Sequence, residues 1–98
     1  MNATLYSTEF PDFDYALPVI EGFRNVSWHN DACPSLMNDD ETLTLWCDYA
    51  DVTKREMQGG RLFTLVRCCE VGRMGDLIIA TDSLAEALRV IWTIQSTT

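Results

Sequence analysis

The sequence predicts a single α+β domain over residues 1–98, with an antiparallel β-meander of three to four strands and a C-terminal α-helix packed on one face. Two observations predict this class. Strand-like apolar runs follow one another from residue 42 to residue 81 without a helix between them, and one helical repeat comes after them. Short connections between consecutive strands favour antiparallel neighbours, and a helix of about twelve residues is marginal unless it docks.

The helix is predicted over residues 84–95. Residues 83–86 (Ser-Leu-Ala-Glu) have the spacing of a capping box, in which the serine accepts from a first-turn amide and the glutamate reaches back to the serine N–H. Apolar residues then recur at helical spacing, and burial at about 1.5–3 kcal/mol per side chain is expected to hold the helix on the sheet. The side chains expected to be buried are Leu84, Leu88, Ile91 and Trp92.

Strands are predicted from alternation and from glycine punctuation. Residues 42–49 alternate, with Leu43, Leu45, Cys47 and Tyr49 on the apolar face. Residues 61–71 and 77–81 flank a glycine-containing loop at 72–76 and predict a hairpin. Residues 23–29 predict a further strand, followed by a polar loop that holds Pro34 and a solvated turn at residues 39–41. The first 22 residues give no clear pattern, since Pro11 and Pro18 interrupt them.

Charge is divided by position along the chain. Residues 1–53 carry ten carboxylates and one base, Arg24, for a net charge of −9. Residues 54–98 carry five acids and six bases, for a net charge of +1. Such a division predicts attraction to a basic protein surface. The alternative interpretation is a solvated exterior that keeps the protein in solution.

Nine residues are the candidate contacts of this surface. The acidic side chains would supply long-range attraction and substitute for phosphates, while an aromatic side chain would substitute for a stacked base. Trp46 is the candidate anchor because it shares a strand face with Thr44 and Asp48; its alternative role is to cover a second layer of the fold. The full set is Asp12, Asp14, Asp31, Asp39, Asp40, Glu41, Trp46, Asp48 and Asp51.

Several classes of function find no support in the sequence. There is no phosphate-binding glycine loop or Gly-x-Ser-x-Gly elbow, and the bases form no continuous cluster, so direct nucleic-acid binding is not expected. No apolar run approaches the roughly 18 residues of a membrane span, and the acidic first twenty residues do not resemble a signal peptide. We therefore expect a cytoplasmic, non-enzymatic protein with no membrane contact and no cofactor.

Two other classes of function stay open. A small thiol- or metal-dependent enzyme would be centred on His29 and Cys33, since a thiolate becomes nucleophilic beside a base. These residues lie in a loop-like stretch, however, and neighbouring acids disfavour a thiolate. A self-associating subunit would use an unpaired sheet edge or exposed aromatic side chains.

In size, acidity and single-domain α+β build, the chain resembles the small inhibitors encoded by phages and mobile elements, the anti-CRISPR proteins in particular. The similarity extends over the whole chain, but no motif carries it and no site residue follows from it. The resemblance implies a protein of the host cytoplasm that blocks target DNA binding by a CRISPR effector complex. Such inhibitors commonly cover a basic nucleic-acid-binding surface on a backbone subunit of the surveillance complex.

Overall fold

A five-stranded antiparallel sheet and one α-helix make up the fold, in a computed structural model that describes residues 10, 13–27, 33–55, 60–70 and 73–96. The strands are adjacent in chain order: β1 (Phe23–Asn25), β2 (Ser35–Asn38), β3 (Leu43–Cys47), β4 (Phe63–Glu70) and β5 (Arg73–Thr81). A short 3₁₀ helix, Val52–Lys54, follows β3, and α1 (Leu84–Ser96) follows β5. The predicted α+β meander with a C-terminal helix is confirmed, with five strands instead of three to four.

The additional strand comes from the stretch predicted as a polar loop. Residues Ser35–Asn38 form β2, and Leu36 within it is buried in the core. β1 ends at Asn25, whose side-chain oxygen accepts from both the N–H and the hydroxyl of Ser27; residues 28 and 29 of the predicted strand lie outside the described residues. A local turn of this kind competes with the strand ladder for the backbone.

The core lies on the face of the sheet that carries α1. In β3, the side chains of Leu43, Leu45 and Cys47 are 1%, 0% and 0% exposed, which confirms the predicted apolar face of this strand. Neighbouring strands and the helix complete one cluster, with Leu36, Phe63, Leu65, Ala87 and Ile91. Burial of this cluster is the main apolar stabilisation of the domain.

Residues 13–20 have no regular secondary structure and pack against the same core. Phe13, Leu17 and Ile20 contact the cluster while partly buried. The Tyr15 hydroxyl donates to the Asp48 carbonyl at 2.8 Å, and its ring meets the Phe63 ring edge-on at 6.5 Å. This segment is therefore joined to the sheet by aromatic packing and a hydrogen bond.

The buried stripe of α1 differs from the predicted one. Trp92, expected to be buried, is 75% exposed, so that expectation is wrong. Successive helical residues are about 100° apart, and a stripe centred near Ile91 that includes Ile94 leaves Trp92 on the outer flank. The residues that contact the core are Leu84, Ala87, Val90, Ile91 and Ile94.

The N-terminus of α1 has the predicted serine cap but a different glutamate contact. The Ser83 hydroxyl accepts from the Glu86 N–H at 3.2 Å. Instead of reaching the Ser83 N–H, the Glu86 carboxylate accepts from the Thr81 hydroxyl. The Thr81 oxygen in turn accepts from the Ser83 N–H at 3.0 Å, so the last residue of β5 takes part in the cap.

β4 and β5 form the predicted hairpin, but most of the predicted glycine loop is strand. β5 begins at Arg73 instead of residue 77. Pairing is irregular in this part of the ladder, with register shifts between Leu65/Val66, Val66/Cys68 and Cys68/Glu70. Irregular pairing is the setting in which glycine is tolerated inside a strand.

We expect Ile91→Asp to lower the free energy of unfolding by about 3–5 kcal/mol, because it places an unpaired carboxylate where the side chain is 3% exposed. Leu88→Asp should cost less, since Leu88, which the sequence predicts to be buried, is half-buried and outside the core cluster. Ala85→Asp is the matched control, because its carboxylate would lie exposed in the first helical turn. Urea denaturation measures all three, and equal losses at Ile91 and Ala85 would contradict the assigned stripe.

Candidate protein-binding surface

The seven predicted contact residues that the structure describes do not form one continuous surface. Asp12 and Asp31 lie outside the described residues. Most of the others lie beyond the two ends of β3, a five-residue strand about 16 Å long. Asp39, Asp40 and Glu41 precede this strand, whereas Asp48 and Asp51 follow it and Asp14 hydrogen-bonds the same end. Counting charge along the sequence therefore merges two groups that the fold separates.

The turn between β2 and β3 carries three of the predicted carboxylates, as the sequence indicates. Asp39, Asp40 and Glu41 are all exposed. The Glu41 N–H donates to the Asn38 carbonyl at 3.0 Å, and Glu41 has a φ of 60°. A left-handed residue closes the connection and directs the chain back into β3.

Asn38 holds this turn in one conformation. It is 4% exposed, and its side-chain oxygen accepts from the N–H groups of Thr42 and Leu43, each at 2.9 Å. Its amide nitrogen donates to the Thr42 hydroxyl, also at 2.9 Å. Both functional atoms of a buried amide are thus satisfied, which is the condition for burying it without penalty.

A fourth carboxylate, Glu21, joins the group across the sheet. Phe23 pairs with Asn38 in the β1–β2 ladder, so the turn before β1 lies next to the turn after β2. The Asp39 N–H donates to the Gly22 carbonyl at 2.9 Å, and Gly22 has a φ of 83° that favours glycine. Glu21 is exposed beside it. We call Glu21, Asp39, Asp40 and Glu41 the acidic tip.

Sequence reasoning left Glu21 out of the contact set. The signal that could have found it is the register of the β1–β2 hairpin, because residues that precede one strand and follow its partner lie side by side. The sequence does not predict this register, because residues 35–38 do not alternate and are predicted to form a loop.

The acidic tip keeps most of its negative charge. Arg24 is the base beside it, and its guanidinium contacts the Glu41 carboxylate at 2.7 Å. Both side chains are about half exposed, at 44% and 54%, so the pair contributes at most about 1 kcal/mol. The four carboxylates and the Arg24 guanidinium sum to −3, and the exposed Arg67, which pairs with Leu43 across the β3–β4 ladder, is a further base near this end of the sheet. Within the described part of the chain, no side chain pairs with the carboxylates of Asp39 or Asp40.

The carboxylates at the other end of β3 act in local structure. Asp14 accepts from the N–H groups of Ala50 and Asp51, at 2.9 and 2.8 Å. Burial alone would raise the pKa of Asp14, but these hydrogen bonds outweigh it and hold the pKa below its usual value. Asp51 caps the 3₁₀ helix by accepting from the Thr53 N–H and hydroxyl, which lowers its pKa too. Both oxygens of Asp14 and one oxygen of Asp51 are therefore already engaged.

Two bases, Lys54 and Arg55, lie at the same end of β3 as these carboxylates. The Lys54 ammonium lies 6.0 Å from the centre of the Tyr49 ring and lowers the pKa of Asp14 and Asp51. The Arg55 guanidinium donates to the carbonyls of Tyr49 and Gly60, at 2.6 and 2.9 Å. This end of the sheet is consequently less negative than the acidic tip.

Trp46 is separated from the acidic tip and is half-buried. It lies on the sheet face opposite α1, paired with Ser35 on β2 and Thr64 on β4, near the end of β3 that leads to Asp48. Its indole N–H is buried and finds no acceptor among the described residues. The same face includes Thr44, which is 5% exposed, so it is not the open solvent face that the sequence predicts. Trp46 therefore lies on a partly covered face, apart from the carboxylates of the acidic tip.

The described thiols are packed away from solvent. Cys33 is 5% exposed and Cys47 is fully buried, and burial raises the pKa of Cys47 to about 12. A buried thiol of high pKa is a poor nucleophile. His29, the proposed base, lies outside the described residues. Among the residues that are described, no group of three or more His, Cys, Asp or Glu side chains could hold a metal ion, and no helix is long and apolar enough to span a membrane.

Removal of the Asn38 side chain should loosen the acidic tip. Asn38→Ala leaves the Leu43 N–H buried without an acceptor, so we expect a loss of about 2–3 kcal/mol in unfolding free energy and faster amide exchange at residues 41–43. Asn38→Asp is the matched control, because its carboxylate can still accept both N–H groups. Similar exchange rates in the two variants would contradict the assigned role of Asn38.

Acid should destabilise the domain through carboxyls whose pKa is lowered in the folded state. Asp14 and Asp51 are two of these; Asp82 is a third, because the Leu62 N–H and the Arg61 guanidinium hydrogen-bond its carboxylate. Their stabilisation is complete above the unfolded pKa of about 4 and is lost as pH falls through the folded values. The urea concentration at the unfolding midpoint should therefore decrease as the pH is lowered below about 4. Asp14→Asn should make this decrease smaller. An identical acid profile for Asp14→Asn would show that this carboxylate does not contribute.

No known protein family, curated protein or solved structure matches this chain. The arrangement of its own side chains is therefore what supports a function.

Proposed function

We propose that the chain is a non-enzymatic binding module whose acidic tip docks on a basic surface of a partner protein. The observation that carries this proposal is the placement of four exposed carboxylates on two adjoining turns at one end of the sheet. A single guanidinium, that of Arg24, compensates them in part. Charge concentrated in this way steers a cationic partner and orients it at contact.

Rigidity of the tip favours such a role. The Asn38 side chain, the Asp39 N–H to Gly22 carbonyl bond and the Glu41 N–H to Asn38 carbonyl bond fix the backbone of both turns. A preorganised surface loses less conformational entropy when it binds than a mobile acidic segment does. The carboxylates of Asp39 and Asp40 are therefore presented at defined positions.

The more specific form of the proposal is an inhibitor. A basic surface that accepts carboxylates is the kind of surface that binds nucleic-acid phosphates, so an acidic protein seated on it would exclude nucleic acid. The resemblance to anti-CRISPR proteins in size, acidity and build supports a CRISPR effector complex as the partner. In this form the chain acts in the cytoplasm and competes with target DNA for a backbone subunit.

The test is a gel-shift assay with purified guide-loaded CRISPR effector complexes and labelled target DNA. The unmodified chain should reduce DNA binding in a concentration-dependent way. The double variant Asp39→Asn/Asp40→Asn removes two charges with little change in shape and should need about tenfold more protein for the same inhibition, which corresponds to about 1.4 kcal/mol. Binding of the unmodified chain should also weaken as salt is raised.

The matched control is Asp14→Asn/Asp51→Asn, which removes the same charge at the other end of β3 and keeps one oxygen acceptor at each position, so that residue 14 retains one of its two backbone hydrogen bonds. This control should inhibit like the unmodified chain. Equal weakening by both double variants would mean that net charge, and not the acidic tip, determines binding. If the unmodified chain does not reduce DNA binding by any of the effector complexes, the inhibitor form of the proposal is wrong.

A further inference from the structure

The two edges of the sheet are unequal. Strand order places β1 at one edge and β5 at the other. β1 has three residues, whereas β5 has nine and is the longest strand. Among the described strands none pairs with the outer side of β5, which leaves a row of N–H and C=O groups able to pair with another chain.

The second half of β5 has little of the usual protection against edge pairing. Short length and a charged residue, Arg24, protect β1. Residues 77–81 contain no charge, proline or glycine, and Leu77 is 62% exposed. One of the three register shifts lies within these residues, because Val66 pairs with Leu77 and Leu65 with Ile79, which skips Ile78. Ile79, Ala80 and Thr81 pair regularly with β4 and form the regular apolar part of this edge.

The outer flank of α1 adds apolar area next to this edge. Trp92 is 75% exposed, and Leu88 lies one turn before it, half-buried and outside the core cluster. The opposite flank, with Val90 and Ile94, contacts the core. α1 packs on β4 and on β5, the last strand, so this exposed apolar flank lies over the half of the sheet that ends in the open edge.

We propose that this edge binds a second copy of the chain, with residues 77–81 of β5 paired antiparallel to themselves about a two-fold axis. An isologous contact needs only a self-complementary segment, and an uncharged apolar strand is self-complementary. The flanks of the two α1 helices, each with Leu88 and Trp92, close over the paired strands on one face.

Charge argues for a second copy at this edge. Residues 1–53 have a net charge of −9 and would repel another copy, whereas residues 54–98, which form β4, β5 and α1, have a net charge of +1. A nearly neutral surface neither selects a strongly charged partner nor opposes an identical one. The β5 side is thus where two chains meet with least repulsion.

The available area is that of a weak dimer. The five residues 77–81 that pair between the copies extend about 17 Å, and a sheet with a helix on it is about 20 Å thick, so the paired edge covers roughly 340 Å². A standard interface takes about 800 Å² from each partner. The Leu77 and Trp92 side chains protrude, so the area that can be buried is larger than that of a flat edge.

Sedimentation velocity of the full chain over a range of concentrations tests the proposal. The unmodified protein should have twice the chain mass of 11.1 kDa. Leu77→Lys and Trp92→Lys should each raise the dimer dissociation constant at least tenfold. Both positions are largely exposed, so the monomer should stay folded, as circular dichroism and the urea midpoint at low concentration would show.

Val19→Lys is the matched control, since Val19 is 101% exposed and lies in the segment before β1. It should leave the dimer unchanged, as should Asp39→Asn/Asp40→Asn. Added salt should tighten the dimer by screening two chains of charge −8, the opposite of its effect on a contact with a basic partner. A monomer at millimolar concentration, or a dimer that survives both lysine variants at the edge, would overturn the proposal.

Discussion

Asn38 is the residue on which both the register of the sheet and the shape of its acidic end depend. Its side chain satisfies the first N–H of β3 and the N–H before it, so it fixes where β3 begins after the turn. A slip of one residue would move Leu43, Leu45 and Cys47 from the core to the opposite face. The apolar core and the carboxylates of the turn are thus positioned by one buried amide, and a change there acts on both.

The elements with strong local patterns could be read from the sequence. Alternation identified β3, and the serine cap with a 3.6-residue repeat identified α1 to within a residue. β2 could not be found in this way, because its four residues do not alternate: Ser35, Leu36 and Asn38 are all buried. The sequence predicts the wrong side of α1 for Trp92. Successive side chains of a helix point in directions only about 100° apart, so the position of the buried stripe depends on what the helix packs against.

The candidate surface was harder to predict than the fold. The exposed turn at residues 39–41 follows from composition, but its proximity to Glu21 depends on the pairing of β1 with β2. Conversely, three carboxylates that count as negative charge in the sequence have local roles in the fold. Asp14 and Asp51 accept from backbone N–H groups of the chain that follows β3. The Asp48 carboxylate accepts from the Tyr49 N–H. Charge counted along a chain does not distinguish carboxylates that stay exposed at a surface from those that cap a turn.

The backbone of Glu41 has a further consequence for engineering. A side chain at a φ of 60° costs about 1 kcal/mol relative to glycine, and its ion pair with Arg24 returns at most a similar amount. Laboratory selection for heat resistance would therefore favour glycine or asparagine at this position, and each such change would remove one carboxylate from the tip. Thermostability and surface charge are in direct competition at residue 41.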